Sequence, residues 1–141
     1  MRAVGGVFAG VIAGAVAMVC VALAGGLLFP SAARVDGFDT QAALAVFPSL
    51  PTGAKIAVIA SWFSASLVGG MVAKKIAGGG WAAWTVTGVY VVYVLLTVNI
   101  LPMPAWLQAM AVAAPLFGGL IANHLVADRR PFAEAAGDAD I

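Results

Sequence analysis

The chain has 141 residues, of which 63% are hydrophobic and only 9% are charged. Ordinary soluble domains carry about 25% charged residues, so this composition excludes a water-soluble fold with a polar shell. The net charge of +1 comes from scattered basic residues, which form no basic stripe for nucleic acid, and the single cysteine, Cys20, allows no intrachain disulfide.

The first apolar stretch covers residues 4–29 and consists entirely of hydrophobic residues and glycine. A helix of this length crosses the roughly 30 Å hydrocarbon core of a bilayer. Arg2 precedes the stretch, as a basic residue does in a signal peptide, but the apolar part of a signal peptide usually has about 7–15 residues. We therefore expect a retained transmembrane span.

Three further apolar stretches follow, at residues 56–73, 81–101 and 105–127. Each approaches the length of about 20 residues that a membrane-spanning helix needs. None shows the alternating polarity of a transmembrane β-strand. The sequence thus predicts an all-α membrane protein, with four transmembrane helices in an antiparallel bundle that forms a single domain over residues 1–127.

The basic residues are divided unevenly between the two sides of a four-span arrangement. The larger group shares one side with the N-terminus, and it consists of Arg2, Lys74, Lys75, Arg129 and Arg130. Only Arg34 and Lys55 fall on the other side. The positive-inside rule then places both termini in the cytoplasm, as in a multi-pass protein of a bacterial inner membrane. We expect the polar tail 128–141 to be flexible and cytoplasmic.

The long outer loop, residues 30–55, contains a candidate short helix over "QAALAVF" at 41–47. Asp39 or Thr40 would cap its N-terminus, and Pro48 would end it. Leu44 and Phe47 would share one face, which either rests on the membrane surface or covers the outer end of the bundle.

Small residues recur at steps of four in the first two spans, and this spacing places each set on one helix face. The candidate packing residues are Gly6, Gly10 and Gly14 in the first span and Ser61, Ala65 and Gly69 in the second. Small residues let membrane helices approach closely. The two rows would pack against each other within one chain, or the first row would form a homo-oligomer interface.

The spans contain almost no residues with catalytic or ligand chemistry. No Asp or Glu occurs between Asp39 and Asp128, so proton-coupled transport has no buried carboxylate. One His and one Cys provide neither a metal cluster nor a pair of haem ligands, and we predict no cofactor and no catalytic residue. His124 is either an interfacial residue at a helix end or a pH-sensitive contact, and Pro115 is either a static kink or a hinge.

The stretch "NILPMPAW" at 99–106 separates the last two spans. Pro102 would end the third helix, Pro104 suits the first turn of the fourth, and Trp106 would lie at the membrane interface. Asn99 would cap the last carbonyls of the third helix or contribute a polar group at the outer mouth. These four residues are the candidates for a helical-hairpin turn.

Four landmarks follow one another along residues 1–127. They are "LLFP" at 27–30, an acidic loop that ends in "LP" at 50–51, "SWFSASLVGGMVAKKIAG" at 61–78 and "NILPMPAW" at 99–106. In this order the chain resembles a family of small uncharacterised bacterial membrane proteins with four predicted helices, which implies an architecture rather than a chemistry. Similar chains often carry Glu and His where this one has Ala22 and Gly26, and His where it has Met103, so a polar site there would be lost.

These features favour a structural or accessory protein that contacts the lipid bilayer and packs with itself or with another membrane subunit. The alternative is a small oligomeric transporter or channel without a buried carboxylate. A polar row facing a shared cavity would favour the transporter, and an apolar bundle interior would favour the structural role. An enzyme would need a polar cluster at the outer mouth, and we predict no enzymatic activity.

Overall fold

The computed structural model describes residues 2–30, 41, 45–101 and 103–127. These residues contain four long helices, each long and apolar enough to cross a membrane, which confirms the predicted all-α fold with four candidate spans. The elements are α1 (Arg2–Leu28), a short 3-10 helix (Phe47–Ser49), α2 (Thr52–Ala77), α3 (Gly80–Ile100) and α4 (Ala105–Leu125). The predicted tail 128–141, Pro102 and most of the outer loop, including Leu44, lie outside the described residues.

Helix α2 extends four residues beyond each end of the apolar stretch 56–73. Lys74 and Lys75, which the sequence pattern placed between two spans, therefore lie in the last turn of α2. Long lysine side chains let a helix continue past the hydrocarbon, because the ammonium group extends toward polar surroundings. The helix ends only at Gly78, whose φ of 82° is left-handed and whose N–H bonds to the Lys74 carbonyl at 2.8 Å.

Prolines mark the starts of α2 and α4. Pro51 and Pro104 occupy the position just before each helix in an extended conformation, with ψ of 150°. The Pro104 carbonyl accepts the first bonds of α4, from the N–H groups of Leu107 at 2.9 Å and Gln108 at 3.1 Å. A proline at this point needs no hydrogen-bond donor, so it sets the direction of the chain without disturbing the helix.

Helix α2 is central, because it contacts each of the other three helices. Helix α3 also contacts α1 and α4. The buried hydrophobic residues form two clusters along the bundle. The members of the first cluster are Phe47, Ile59, Trp62, Val94, Met103, Leu107, Ala111 and Ala114. The members of the second cluster are Ala65, Ala73, Ala82, Val86 and Tyr90.

The residues just before α2 pack against the first of these clusters. Phe47 in the 3-10 helix is buried against the core, and the Lys55 ammonium lies 5.8 Å from the centre of its ring. Lys55 also donates a hydrogen bond to the Pro48 carbonyl at 3.0 Å. The sequence left two positions open for the face that contains Phe47, the membrane surface or the end of the bundle. The structure places the Phe47 side chain over the end of the bundle.

Candidate functional site

The small-residue row of α1 faces α2 of the same chain, and the backbones of the two helices are in close contact. A Cβ built on Gly10 would lie 2.6 Å from the Gly69 carbonyl oxygen and 2.7 Å from the Ala73 Cβ. One built on Gly14 would lie 2.5 Å from the Ala65 carbonyl oxygen. Real Cβ atoms do not approach other atoms so closely, so these positions require glycine for the observed contact.

Gly6 and Ser61 are the remaining members of the two predicted small-residue rows. A Cβ on Gly6 would lie 2.9 Å from the Ala77 backbone nitrogen. Ser61 is buried, and its hydroxyl donates to the Val58 carbonyl at 2.6 Å. This bond within α2 satisfies the hydroxyl, so Ser61 contributes a small side chain rather than a free polar group.

A hydrogen bond between helices accompanies the glycine contact. The Tyr90 hydroxyl on α3 donates to the Val11 carbonyl on α1 at 2.7 Å. Gly14 makes room for it, because a Cβ there would lie 2.5 Å from the Tyr90 hydroxyl oxygen. The phenol therefore ties α3 to α1 at the centre of the glycine row, a link that spacing within one helix could not reveal.

A second close contact joins α4 to α2 and α3. A Cβ on Gly118 would lie 2.5 Å from the Phe63 carbonyl oxygen, and one on Gly119 would collide with the Thr87 side chain. The Thr87 hydroxyl donates to the Ala83 carbonyl at 2.9 Å and accepts a bond from the Ser66 hydroxyl at 3.2 Å. The sequence pattern does not indicate this contact, because the two hydroxyls lie on two other helices.

Polar groups inside the described part of the bundle are therefore satisfied. Ser66 is 0% and Thr87 1% exposed, so water does not reach this pair. Among the described residues, every buried side-chain nitrogen or oxygen has a hydrogen-bond partner. Pro115 is also fully buried inside the continuous helix α4. The packed interior thus provides contact between helices rather than a polar lining.

The end of the bundle near residue 78 contains a buried lysine. Lys74 is only 3% exposed, and its ammonium group donates to the Asn123 carbonyl at 2.7 Å and to its side-chain oxygen at 3.1 Å. Asn123 belongs to the last turn of α4, whose carbonyls have no partner within their own helix. Lys74 caps α4 in this way and joins its end to α2.

In the turn between α3 and α4, the hydrogen bond that spans the turn involves Gln108 and Met103, which were not among the predicted turn residues. Asn99 is exposed, and its amide donates to the Leu95 carbonyl of its own helix at 2.7 Å. Gln108 instead reaches back to the Met103 carbonyl at 2.9 Å, and Met103 is buried between the two proline positions. Trp106 is 52% exposed, as a residue at a membrane interface would be.

The outward face of α1 is an apolar surface that no other described helix covers. Only 11% of the most apolar part of α1 is buried, against 39% for α2 and for α4. Its exposed large side chains recur at steps of four and three, and they are Phe8, Ile12, Val16, Val19 and Leu23. The glycine row faces the bundle, so this stripe points away from it.

No known protein family, curated protein or solved structure matches this chain. Functional interpretation therefore rests on the geometry. Within residues 2–30, 41, 45–101 and 103–127, no group of three His, Cys, Asp or Glu side chains could hold a metal ion. Cys20 and His124 are both exposed. The described residues therefore provide close contacts between helices and an exposed apolar surface.

Proposed function

We propose that this chain is a structural or accessory protein of a bacterial inner membrane, which packs with itself or with another membrane subunit. This proposal rests on one combined observation: side chains fill the interior of the bundle, whereas most of the surface of α1 is exposed. The glycine rows that bring α1, α2 and α4 together are used within the chain, so association would use the opposite, apolar face of α1. The likeness to four-helix bacterial membrane proteins in the order of landmarks agrees with this role.

The same contacts support an antiparallel bundle. The start of α1 meets the end of α2 at Gly6 and Ala77, and the end of α1 meets the start of α2 at Gly25 and Ala57. Arg2 therefore lies at the same end as Lys74 and Lys75. This clustering of basic residues supports cytoplasmic N- and C-termini, by the positive-inside rule.

A transporter or channel of four helices remains the alternative, and it would need a polar path through the bundle or between copies. The described interior gives little support to a transport path. Its hydrogen-bonded Ser66–Thr87 pair is packed directly against Gly119 of α4, so no open polar channel passes there. A catalytic role has no support from a cluster of ionisable groups in the described chain. Contact with lipid and with other helices is what the exposed surface can provide.

Site-specific photo-crosslinking in native membranes tests the proposal. A benzophenone side chain replaces Ile12 on the exposed face of α1, and the matched control replaces Leu96 on α3. The two side chains are 64% and 63% exposed, so simple accessibility is equal. We expect Ile12 to give a discrete adduct with a second copy or with one other membrane protein, and Leu96 to give lipid adducts only.

Two results would contradict the proposal. Lipid adducts alone at both positions would show that α1 has no protein neighbour. Solute or ion flux through the purified chain in liposomes, absent from protein-free liposomes, would favour the transporter instead. Reporter fusions test the orientation separately: a cytoplasm-active reporter should give signal at either terminus, and signal from a periplasm-active reporter at the C-terminus would refute the four-span arrangement.

A further inference from the structure

A pocket of about 520 Å³ opens between the C-terminal ends of α2 and α4. Its walls come from the last turns of both helices and the two residues after α4. The lining residues are Met71, Val72, Lys74, Lys75, Leu125, Val126 and Ala127. Both helices have membrane-spanning length, so their ends, and the pocket between them, lie at the level of the lipid headgroups.

The charge in this pocket is positive and comes mainly from Lys75. Lys74 already donates to Asn123, whereas Lys75 is exposed and makes no hydrogen bond with another described residue. The described residues include no Asp or Glu that could neutralise it. An ammonium group in this position favours an anion.

The ends of both helices would repel an anion if their carbonyls were bare, since helix C-termini carry partial negative charge. At each end one carbonyl has a partner. The N–H of Gly78 bonds to the Lys74 carbonyl near the end of α2, and the Lys74 ammonium bonds to the Asn123 carbonyl near the end of α4. Anion binding would therefore depend on the charge of Lys75, which lines the pocket between the two helix ends.

The remaining walls are apolar, which selects the kind of anion. Met71, Val72 and Leu125 provide a hydrocarbon surface next to the ammonium group of Lys75. A free phosphate would satisfy the charge but leave this surface unused. An anionic phospholipid matches both parts, with a phosphate above and acyl chains below, as basic pockets between membrane helices do for anionic lipid headgroups.

We propose that this pocket binds one anionic phospholipid, with the phosphate at Lys75 and an acyl chain along Met71, Val72 and Leu125. The apolar groove between α2 and α4 in the outer half of the bundle lacks such selectivity. It is lined by side chains such as Ile56, Phe63 and Phe117 and has no charged group, so it distinguishes no headgroup. The two sites thus differ in the lipid they would retain.

The test is native mass spectrometry of the purified full chain in detergent, titrated with phosphatidylglycerol or with phosphatidylcholine. We expect one phosphatidylglycerol to be retained more tightly than phosphatidylcholine. Lys75→Gln should weaken phosphatidylglycerol binding about five-fold, as expected for loss of one lysine near a membrane surface. Lys75→Arg should retain binding, and Lys55→Gln, which removes a charge at the opposite end, should leave it unchanged.

Other results would overturn the proposal. Equal retention of the two lipids, or equal weakening by Lys75→Gln and Lys55→Gln, would mean that the pocket does not select the headgroup. Inorganic phosphate or glycerol phosphate that displaces the lipid at equal concentration would identify a free-phosphate site instead. Thermal unfolding of each variant is measured in parallel, and because Lys75 is exposed we expect an unchanged midpoint, so weaker binding reports the site rather than the fold.

Discussion

The ammonium group of Lys74 on α2 bonds to both the backbone carbonyl and the side-chain oxygen of Asn123 on α4. The two residues are 49 positions apart in the chain, and the lysine is almost completely buried. Gly80, at the start of α3, lies against the same amide, since a Cβ there would be 2.6 Å from the Asn123 side-chain oxygen. Three helices therefore meet at one charged hydrogen-bond donor.

We expect Lys74→Met to destabilise the protein by about 1–3 kcal/mol, because it leaves two acceptors of Asn123 without their charged donor. Lys75→Met, on the next residue, should change stability by less than about 0.5 kcal/mol, because that side chain is exposed. Thermal unfolding in lipid-free detergent provides the measurement. Equal losses for the two variants would show that general charge, and not this bond, stabilises the helix ends.

Gly10→Ala should destabilise the bundle, since its new Cβ must displace the backbone at Gly69. Gly5→Ala is the matched control on the same helix, because nothing lies within 4 Å of a Cβ at that position. The control should be neutral or slightly stabilising, as alanine favours helices by about 1 kcal/mol over glycine. Opposite signs in a chemical unfolding assay are the expected result, and a neutral Gly10→Ala would refute the close-contact role of this face.

The helix count and the glycine faces followed from the sequence, because hydrophobic length and the helical repeat are properties of each segment alone. The sequence left two partners open for the α1 row, the α2 row of the same chain or a second copy, and it did not indicate the contact with α3. Gly14 shows why: its spacing predicts a small-residue face, but the Tyr90 hydroxyl that uses the space comes from a helix more than seventy residues away. The sequence pattern assigned Lys74 to a connection, because a charge ends an apolar stretch, and that pattern could not reveal the hydrogen bonds to the distant Asn123.

Tyr90→Phe should lower stability by about 0.6 kcal/mol, the average for hydrogen bonds between membrane helices, because it removes the donor to Val11 while the ring stays in place. Tyr93→Phe serves as the control, as Tyr93 is 45% exposed on the same helix. The sharper readout is hydrogen exchange along α1, which should rise around Val11 in the first variant only. Unchanged exchange in both would mean that the glycine contacts alone hold α1.

The outer turn should be more sensitive to Gln108 than to Asn99. Gln108→Ala removes the donor to the Met103 carbonyl and should cost about 1 kcal/mol. Asn99→Leu removes only a bond from an exposed side chain to its own helix, so we expect a change below about 0.5 kcal/mol. Denaturant titration measures the unfolding free energy of both variants. A larger loss for Asn99→Leu than for Gln108→Ala would show that Asn99, and not Gln108, stabilises the turn.

The low burial of α1 has a consequence for how the protein is made. This helix is the most apolar of the four and the least buried within the bundle. Because its backbone hydrogen bonds are all internal, it can remain in the bilayer before any partner arrives. The other three helices contain the buried Lys74 and the Ser66 hydroxyl, whose hydrogen-bond partners lie on a different helix. Insertion of α1 would thus not depend on the other helices, and its glycine row would receive α2 and α3 as they insert.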